Sequence, residues 1–211
     1  MSSRWPNKTI VGLTGNIATG KSTVMDLAAR RGALTLDADQ IVHEILDGDS
    51  AVQGAVDAAF DGKVRGSNGV IDRLALAAIV FQDAAALRTL ERIVHPAVGA
   101  MIVQRIDGSD AQLVFVEAIK LLEGALVEMC DQIWVADCSR QRQIERLVIC
   151  RGLDEVTAVM RVDAQNPQQE KVARADVVID TNGALAATTE QFTLAWKRVL
   201  ASTLEKSDAT D

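Results

Sequence analysis

The chain has 211 residues, 22 lysines and arginines against 29 aspartates and glutamates, a net charge of −7, and only 3% aromatic residues with no tyrosine. That balance excludes the broad basic face and the base-stacking platforms that nucleic-acid binding requires. The three cysteines, Cys130, Cys138 and Cys150, have neither the even count of a disulfide framework nor the spacing of a zinc site. No apolar run approaches the roughly 20 residues that span a bilayer, and Met1–Asn7 holds no apolar signal core, so no membrane partner is expected and a reducing cytoplasm is the expected compartment. With 48% hydrophobic residues, much of it alanine, the core is expected to be tight aliphatic packing within one α/β domain.

Lys8–Thr14 is an apolar run of strand type, and it empties into Gly15, Asn16, Ile17, Ala18, Thr19, Gly20, Lys21, Ser22 and Thr23. The spacing G-x-x-x-x-G-K-[ST] between a strand and an apolar-periodic helix is that of a phosphate loop. Its glycines let backbone N–H groups turn inward on an anion, Lys21 reaches the β- and γ-phosphates, and the Ser22 hydroxyl ligates Mg²⁺. The helix starting near Lys21 aims its positive end at the same phosphates. A nucleoside triphosphate with Mg²⁺ is the expected ligand.

After this helix, Ala33–Leu36 reads as a short strand finishing at Asp37-Ala38-Asp39. Carboxylates at the C-terminal end of a parallel strand open onto the ligand crevice. One of the two is also expected to cap the helix beginning at Gln40. From Gln40 to Asp107 the pattern is helical, apart from short strand-like pieces at Lys63–Arg65 and Val70–Ile71. Asp72 reads as the cap of a helix carrying Arg73, and His95 precedes Pro96 within or between helices. Taken singly, Arg73 reads as a solvated charge and His95 as a packed or surface histidine.

Gln112–Val116 is a continuous apolar run suited to a buried parallel strand, ending at Glu117 with Lys120 and Glu123 behind it. Gln132–Asp137 and Asp176–Asp180 are the remaining strands, each separated from its neighbour by helical sequence. The order predicts an α/β fold, a doubly wound parallel five-stranded sheet of the P-loop NTPase type, with an early helical insertion. Between the last two strands, two helices joined at Gly152 carry Arg142 and Arg146 on one face. The commoner fate of such arginines is a solvated face; in a chain with a phosphate loop, this pair stands where a closing lid is expected. The last helix is expected over about Leu185–Leu204, with residues 1–7 and 206–211 dispensable.

A guanine-reading Asn-Lys-x-Asp motif is absent, as is the strand ending in Asp-Asp or Asp-Glu that is usual in motor ATPases. Carboxylates after the second strand, charges after the third and an arginine lid instead suit the transfer of a phosphoryl group to an acceptor hydroxyl. A kinase for nucleoside monophosphates or sugar acids, or a nucleotide-binding regulator without transferase activity, remains open at this level.

The segments Gly12–Val24, Asp37-Ala38-Asp39, the Arg73 helix ending Ile79-Val80-Phe81, Val94-His95-Pro96, Lys120–Glu123 and Ala175–Gly183 resemble, in order and spacing, the dephospho-coenzyme A kinase family. The resemblance covers residues 8 to about 200 and implies ATP-dependent phosphorylation of the ribose 3′-hydroxyl of dephospho-coenzyme A. It implies a nucleotide-binding core of residues 1–39, 110–138 and 166–211, a helical substrate-binding region at 40–109 and a helical lid at 139–165. Asp39 would engage the 3′-hydroxyl, Lys21 and Ser22 the phosphates and Mg²⁺, and Arg146 the transferring phosphoryl group. Arg73 and His95 would line the acceptor side with Glu117 and Lys120, and Asn182 and Gly183 would lie beside the adenine. Such an enzyme is expected as a monomer or small homo-oligomer. Five positions depart from the family pattern: Glu117 stands where Asp is common, Ile119 where Pro is, Lys120 where Leu is, Cys150 where the lid has a basic residue, and Thr181 where Asn is frequent.

Overall fold

The computed structural model describes residues 4–66 and 69–208. They divide into two compact units, one running to Leu36 and resuming at Ser109, the other Asp37–Gly108. The chain begins with β1 (Thr9–Thr14), α1 (Lys21–Ala29) and β2 (Leu34–Asp37). The helices α2 (Ala38–Gly48), α3 (Ser50–Ala59), α4 (Arg73–Val80) and α5 (Ala84–Asp107) follow. The first unit then resumes with β3 (Leu113–Glu117), β4 (Gln132–Asp137), α6 (Arg140–Arg151), α7 (Glu155–Asp163), α8 (Gln168–Val172), β5 (Val177–Asp180) and α9 (Leu185–Asp208). Among the described residues no helix is long and apolar enough to cross a membrane.

The sheet order is β2-β3-β1-β4-β5. β1 pairs in parallel with β3 and β4, and β4 with β5. Every residue of β1 is buried, as are the first four of β3, which is why both read as unbroken apolar runs rather than alternating ones. Since β1 is central and its neighbours are not its sequence neighbours, the loop after β1 opens at a topological switch point, where ligands bind in open parallel sheets.

The core of this unit departs from the aliphatic packing expected from composition. Phe115, Trp134, Phe192 and Trp196 gather into one cluster, with Phe115 edge-on to Trp134 at 5.3 Å and stacked with Trp196 at 6.2 Å. Aromatics are few, but they are concentrated where α9 crosses the sheet. The Trp134 indole N–H remains satisfied by Gln132 at 3.0 Å.

Both ends of the chain are more engaged than expected. Trp5 is buried. α9 continues past Leu204, because Thr203 is buried against Thr9 and Lys206 pairs with Asp131 at 2.8 Å. The Asp131 carboxylate also accepts from the Ile10 N–H, so the last turns are tied to the central strand. Residues 1–3 and 209–211, which belong to the stretches read as dispensable, lie outside the described residues.

In the second unit, α5 is the helix against which α2, α3 and α4 pack. Its Val94, Val98, Ile102 and Ile106 are buried at i, i+4 spacing, and the helices packed on it bury Ile41, Ile45, Val52, Val56, Leu76 and Val80 by the same helical logic. Asp37, Asp49, Asp72 and Asp83 cap the four helices by accepting N–H groups of their first turns. Among the described residues, the strand-like pieces Lys63–Arg65 and Val70–Ile71 meet only at an isolated antiparallel bridge, Arg65 to Ile71, and are not strands.

Candidate functional site

Gly15 has φ +147°, and a Cβ there would lie 2.5 Å from the Ala136 carbonyl oxygen; Gly20 has φ +93°. Both positions therefore demand glycine. Gly20 starts α1 with no side-chain cap, whereas α2 to α7 each satisfy their first turn with an Asp or Ser side chain. No capping side chain thus competes at the positive end of the α1 dipole, an arrangement matched to phosphate.

Lys21 is buried, with Nζ donating to the carbonyls of Gly15 at 3.0 Å and Asn16 at 3.3 Å and standing 3.7 Å from Glu117 Oε1. Ser22, in the next position, is exposed, and Thr23 is half-buried. Thr19 is fully buried, and its hydroxyl closes the loop on the Asn16 carbonyl at 2.9 Å. Ala18 holds φ +60°, a left-handed conformation costly for a residue with a Cβ. Its carbonyl accepts from Arg146 Nη1 at 3.0 Å.

Arg146 and Arg142 share a face of α6 but have different fates. Arg142 stays exposed against Glu145 at 3.1 Å. Arg146 turns inward, where it also donates to the hydroxyl and the carbonyl of Thr181. The Cys138 sulfur lies 3.6 Å from the same guanidinium; burial pushes this thiol's pKa up, opposed by the arginine's charge.

Thr181, one of the departures from the family pattern, is buried, and its hydroxyl donates to the Thr19 carbonyl at 2.6 Å. It therefore braces the phosphate loop. Asn182 and Gly183 are exposed, and Asn182 Oδ1 accepts from the Ser139 N–H at 2.8 Å, joining the end of β5 to the start of α6. Lys120 is exposed beside a 3₁₀ turn, Leu121–Glu123. The Ile119 carbonyl accepts from both Thr14 Oγ1 and the buried Lys171, which fixes the segment between Glu117 and Lys120. Cys150 and Arg151 are exposed in the last turn of α6.

In the second unit, the two aspartates Asp37 and Asp39 differ in their bonding. Asp37 Oδ1 caps α2 by accepting from the N–H groups of Asp39 and Gln40, and this leaves the exposed Asp39 in the first turn. Arg73 opens α4, exposed and 3.6 Å from Asp47. His95 is exposed in the middle of α5. Pro96 beside it cannot donate to the Arg92 carbonyl, so it opens the helix ladder at that turn.

Residues 9–187 match the model of the dephospho-CoA kinase family. The dephospho-CoA kinase of Geobacter sulfurreducens is 40% identical over 178 residues, 82% of this chain and 90% of that one. The chain belongs to this family. Among solved structures, TT1252 from Thermus thermophilus is similar with a TM-score of 0.79 and 32% identity, over 92% of this chain and 97% of that one. The dephospho-CoA kinase from Campylobacter jejuni is similar with a TM-score of 0.59 and 25% identity, over 92% of this chain and 98% of that one.

In this member of the dephospho-CoA kinase family, Gln165 and Gln168 hold the phosphate loop, which reading the chain missed. Gln168 Oε1 accepts from the Asn16 N–H at 2.9 Å and Gln165 Oε1 from the Ile17 N–H at 2.6 Å. Their only sequence signal is a glutamine-rich stretch around Pro167, which composition alone assigns to a polar connection.

Proposed function

We infer that the protein transfers the γ-phosphoryl group of ATP to the ribose 3′-hydroxyl of dephospho-coenzyme A, releasing ADP and coenzyme A. The observation that carries this reading is the uncapped start of α1 with Lys21 buried beside Glu117, in a chain of this family. The N–H groups of the loop and Lys21 hold the β- and γ-phosphates of ATP. Arriving phosphates compete with Glu117 and the loop carbonyls for Lys21, so the lysine is already oriented before nucleotide binds.

The exposed Ser22 hydroxyl suits Mg²⁺, a hard cation that takes one or two protein oxygens and completes its shell with phosphates and water. When bound, the cation neutralises charge on the phosphates. Arg146 serves the transferring phosphoryl group from α6, and α6 with α7 acts as the lid. Asp39 engages the acceptor hydroxyl, as base or as orienting group. Arg73, His95, Glu117 and Lys120 bind the acceptor, and Asn182 and Gly183 lie beside the adenine.

The enzyme works on small molecules in the cytoplasm, as a monomer or small homo-oligomer, in keeping with its net charge of −7 and its three free cysteines. The test is ADP release measured across dephospho-coenzyme A, nucleoside monophosphates and sugar acids. Turnover confined to dephospho-coenzyme A is the expected result; its absence with that acceptor overturns the assignment.

A further inference from the structure

We propose that Gln165 and Gln168 are positioning residues that set the register of the phosphate loop, so that the segment leaving α7 decides which loop N–H groups face the nucleotide. The proposal rests on the kinase reading of the loop.

At the entrance of the loop, the 165–168 segment accepts from three donor nitrogens. The Asn16 backbone N–H goes to Gln168 Oε1, the Ile17 N–H to Gln165 Oε1, and the Asn16 side-chain amide to the Asn166 carbonyl at 2.9 Å. On the other side of the loop, the carbonyls of Ala18 and Thr19 are held by Arg146 and Thr181. The loop is therefore gripped by its donors at the entrance and by its acceptors beyond, leaving the start of α1 to meet phosphate.

Gln168 is buried, and its Nε2 donates to the Ala136 carbonyl at 3.0 Å. This carbonyl oxygen is also the atom that a Cβ on Gly15 would meet. One side-chain amide thus spans the end of β4 and the first turn of the loop, accepting at one atom and donating at the other. A primary amide of this length does both, as does a protonated carboxylic acid. A carboxylate loses the donation to Ala136 and brings negative charge toward the phosphates.

Apolar packing follows the same path. Ile17 and Ala18 rest on the small core that Ile144, Leu147, Ala158 and Val162 make between α6 and α7. Gln165 follows Asp163, the last residue of α7, by two positions, and Asp163 is bound bidentately by Arg140 at the start of α6. The helix pair and the loop entrance are therefore continuous in both hydrogen bonding and packing.

The test uses Gln165→Leu, Gln168→Leu and Gln168→Glu in the full chain, with the ATP dissociation constant measured by calorimetry, steady-state kinetics with dephospho-coenzyme A, and thermal melting without nucleotide. Each Leu variant is expected to weaken ATP binding about tenfold, the scale of one buried hydrogen bond, and to lower kcat, with KM for the acceptor unchanged. In Gln168→Glu the loss should shrink relative to wild type as pH falls from about 8.5 to about 5.5, because a buried carboxyl takes up its proton in that range and regains the donor. A merely structural defect does not recover with acid. If Gln168→Leu fails to fold, Gln165→Leu decides, since that side chain is only half-buried. Unchanged ATP affinity in the folded Leu variants, or a Gln168→Glu loss independent of pH, overturns the proposal. Wild-type protein that binds ATP yet does not phosphorylate dephospho-coenzyme A overturns the substrate assignment alone, and the ATP-binding arm still tests the glutamines.

Discussion

Arg146 and Thr181 are joined twice, through the threonine hydroxyl at 3.0 Å and its carbonyl. With the Ala18 carbonyl held by the same guanidinium, one arginine pins the end of β5 and the tip of the phosphate loop. Arg146→Ala is expected to lower kcat by about 10²-fold or more, as loss of a donor to the transferring group does. KM for ATP should rise by less, through the loosened Ala18. Arg146→Lys keeps the charge without the planar fork and should recover little. A change confined to KM, read from steady-state kinetics, would make Arg146 a ground-state binder.

The two aspartates after β2 separate by experiment as they do by hydrogen bonding. Asp39→Asn should lower kcat by about 10²- to 10⁴-fold, the range of general acid–base groups, with ATP affinity retained. Asp37→Ala instead removes the α2 cap and should cost about 1 kcal/mol of stability. Kinetics, calorimetry and melting on the two variants check this, and near-normal kcat in Asp39→Asn removes Asp39 from the chemistry.

Much of this was legible in the residues. The five strands appear where the apolar runs place them; for β1 and β3, buried on both faces, the signal is carried by composition. The phosphate loop declares itself through glycines that the backbone geometry requires. Contacts made by side chains distant in sequence were not legible: nothing local to Gln168 says that it reaches Asn16, and nothing local to Arg146 separates it from the solvated Arg142. The separation of Asp37 from Asp39 was legible only as an alternative, since both are equally suited to cap a helix. The continuation of α9 beyond Leu204 was hidden because Asp131, the partner of Lys206, lies 75 positions away in sequence.

The thiols should differ sharply in reactivity. Cys150 is exposed and Cys138 is buried, while burial and the neighbouring Asp131 push the pKa of Cys130 up to about 12. A thiol reagent near pH 8, where an ordinary cysteine of pKa about 8.5 is partly thiolate, should label Cys150 fast and the other two only on unfolding. Mass spectrometry reads this directly, and rapid labelling of Cys130 in the native protein contradicts its packing.

Acid should loosen the α6–α7 pair. Arg140 beside Asp163 holds this carboxyl below its ordinary value of 3.8, and hydrogen bonds from Thr157 do the same for Asp154, the cap of α7. A depressed carboxyl contributes its stabilisation fully above the unfolded pKa and loses it as pH falls through the lower folded value. The Tm difference between wild type and Asp163→Asn should therefore be constant near neutrality and close as pH drops below 3.8. A difference that persists in acid would mean that the Arg140 pair adds nothing.

The aromatic cluster on which α9 rests also makes the molecule its own optical reporter. Trp134 is wholly buried, and Trp196 is carried by α9 and stacks with both Phe115 and Phe192. Two indoles thus belong to different elements of one assembly, and their emission registers whether the C-terminal helix is seated, with no dye attached. Ultraviolet fluorescence during refolding can therefore separate closure of the sheet from arrival of the last helix.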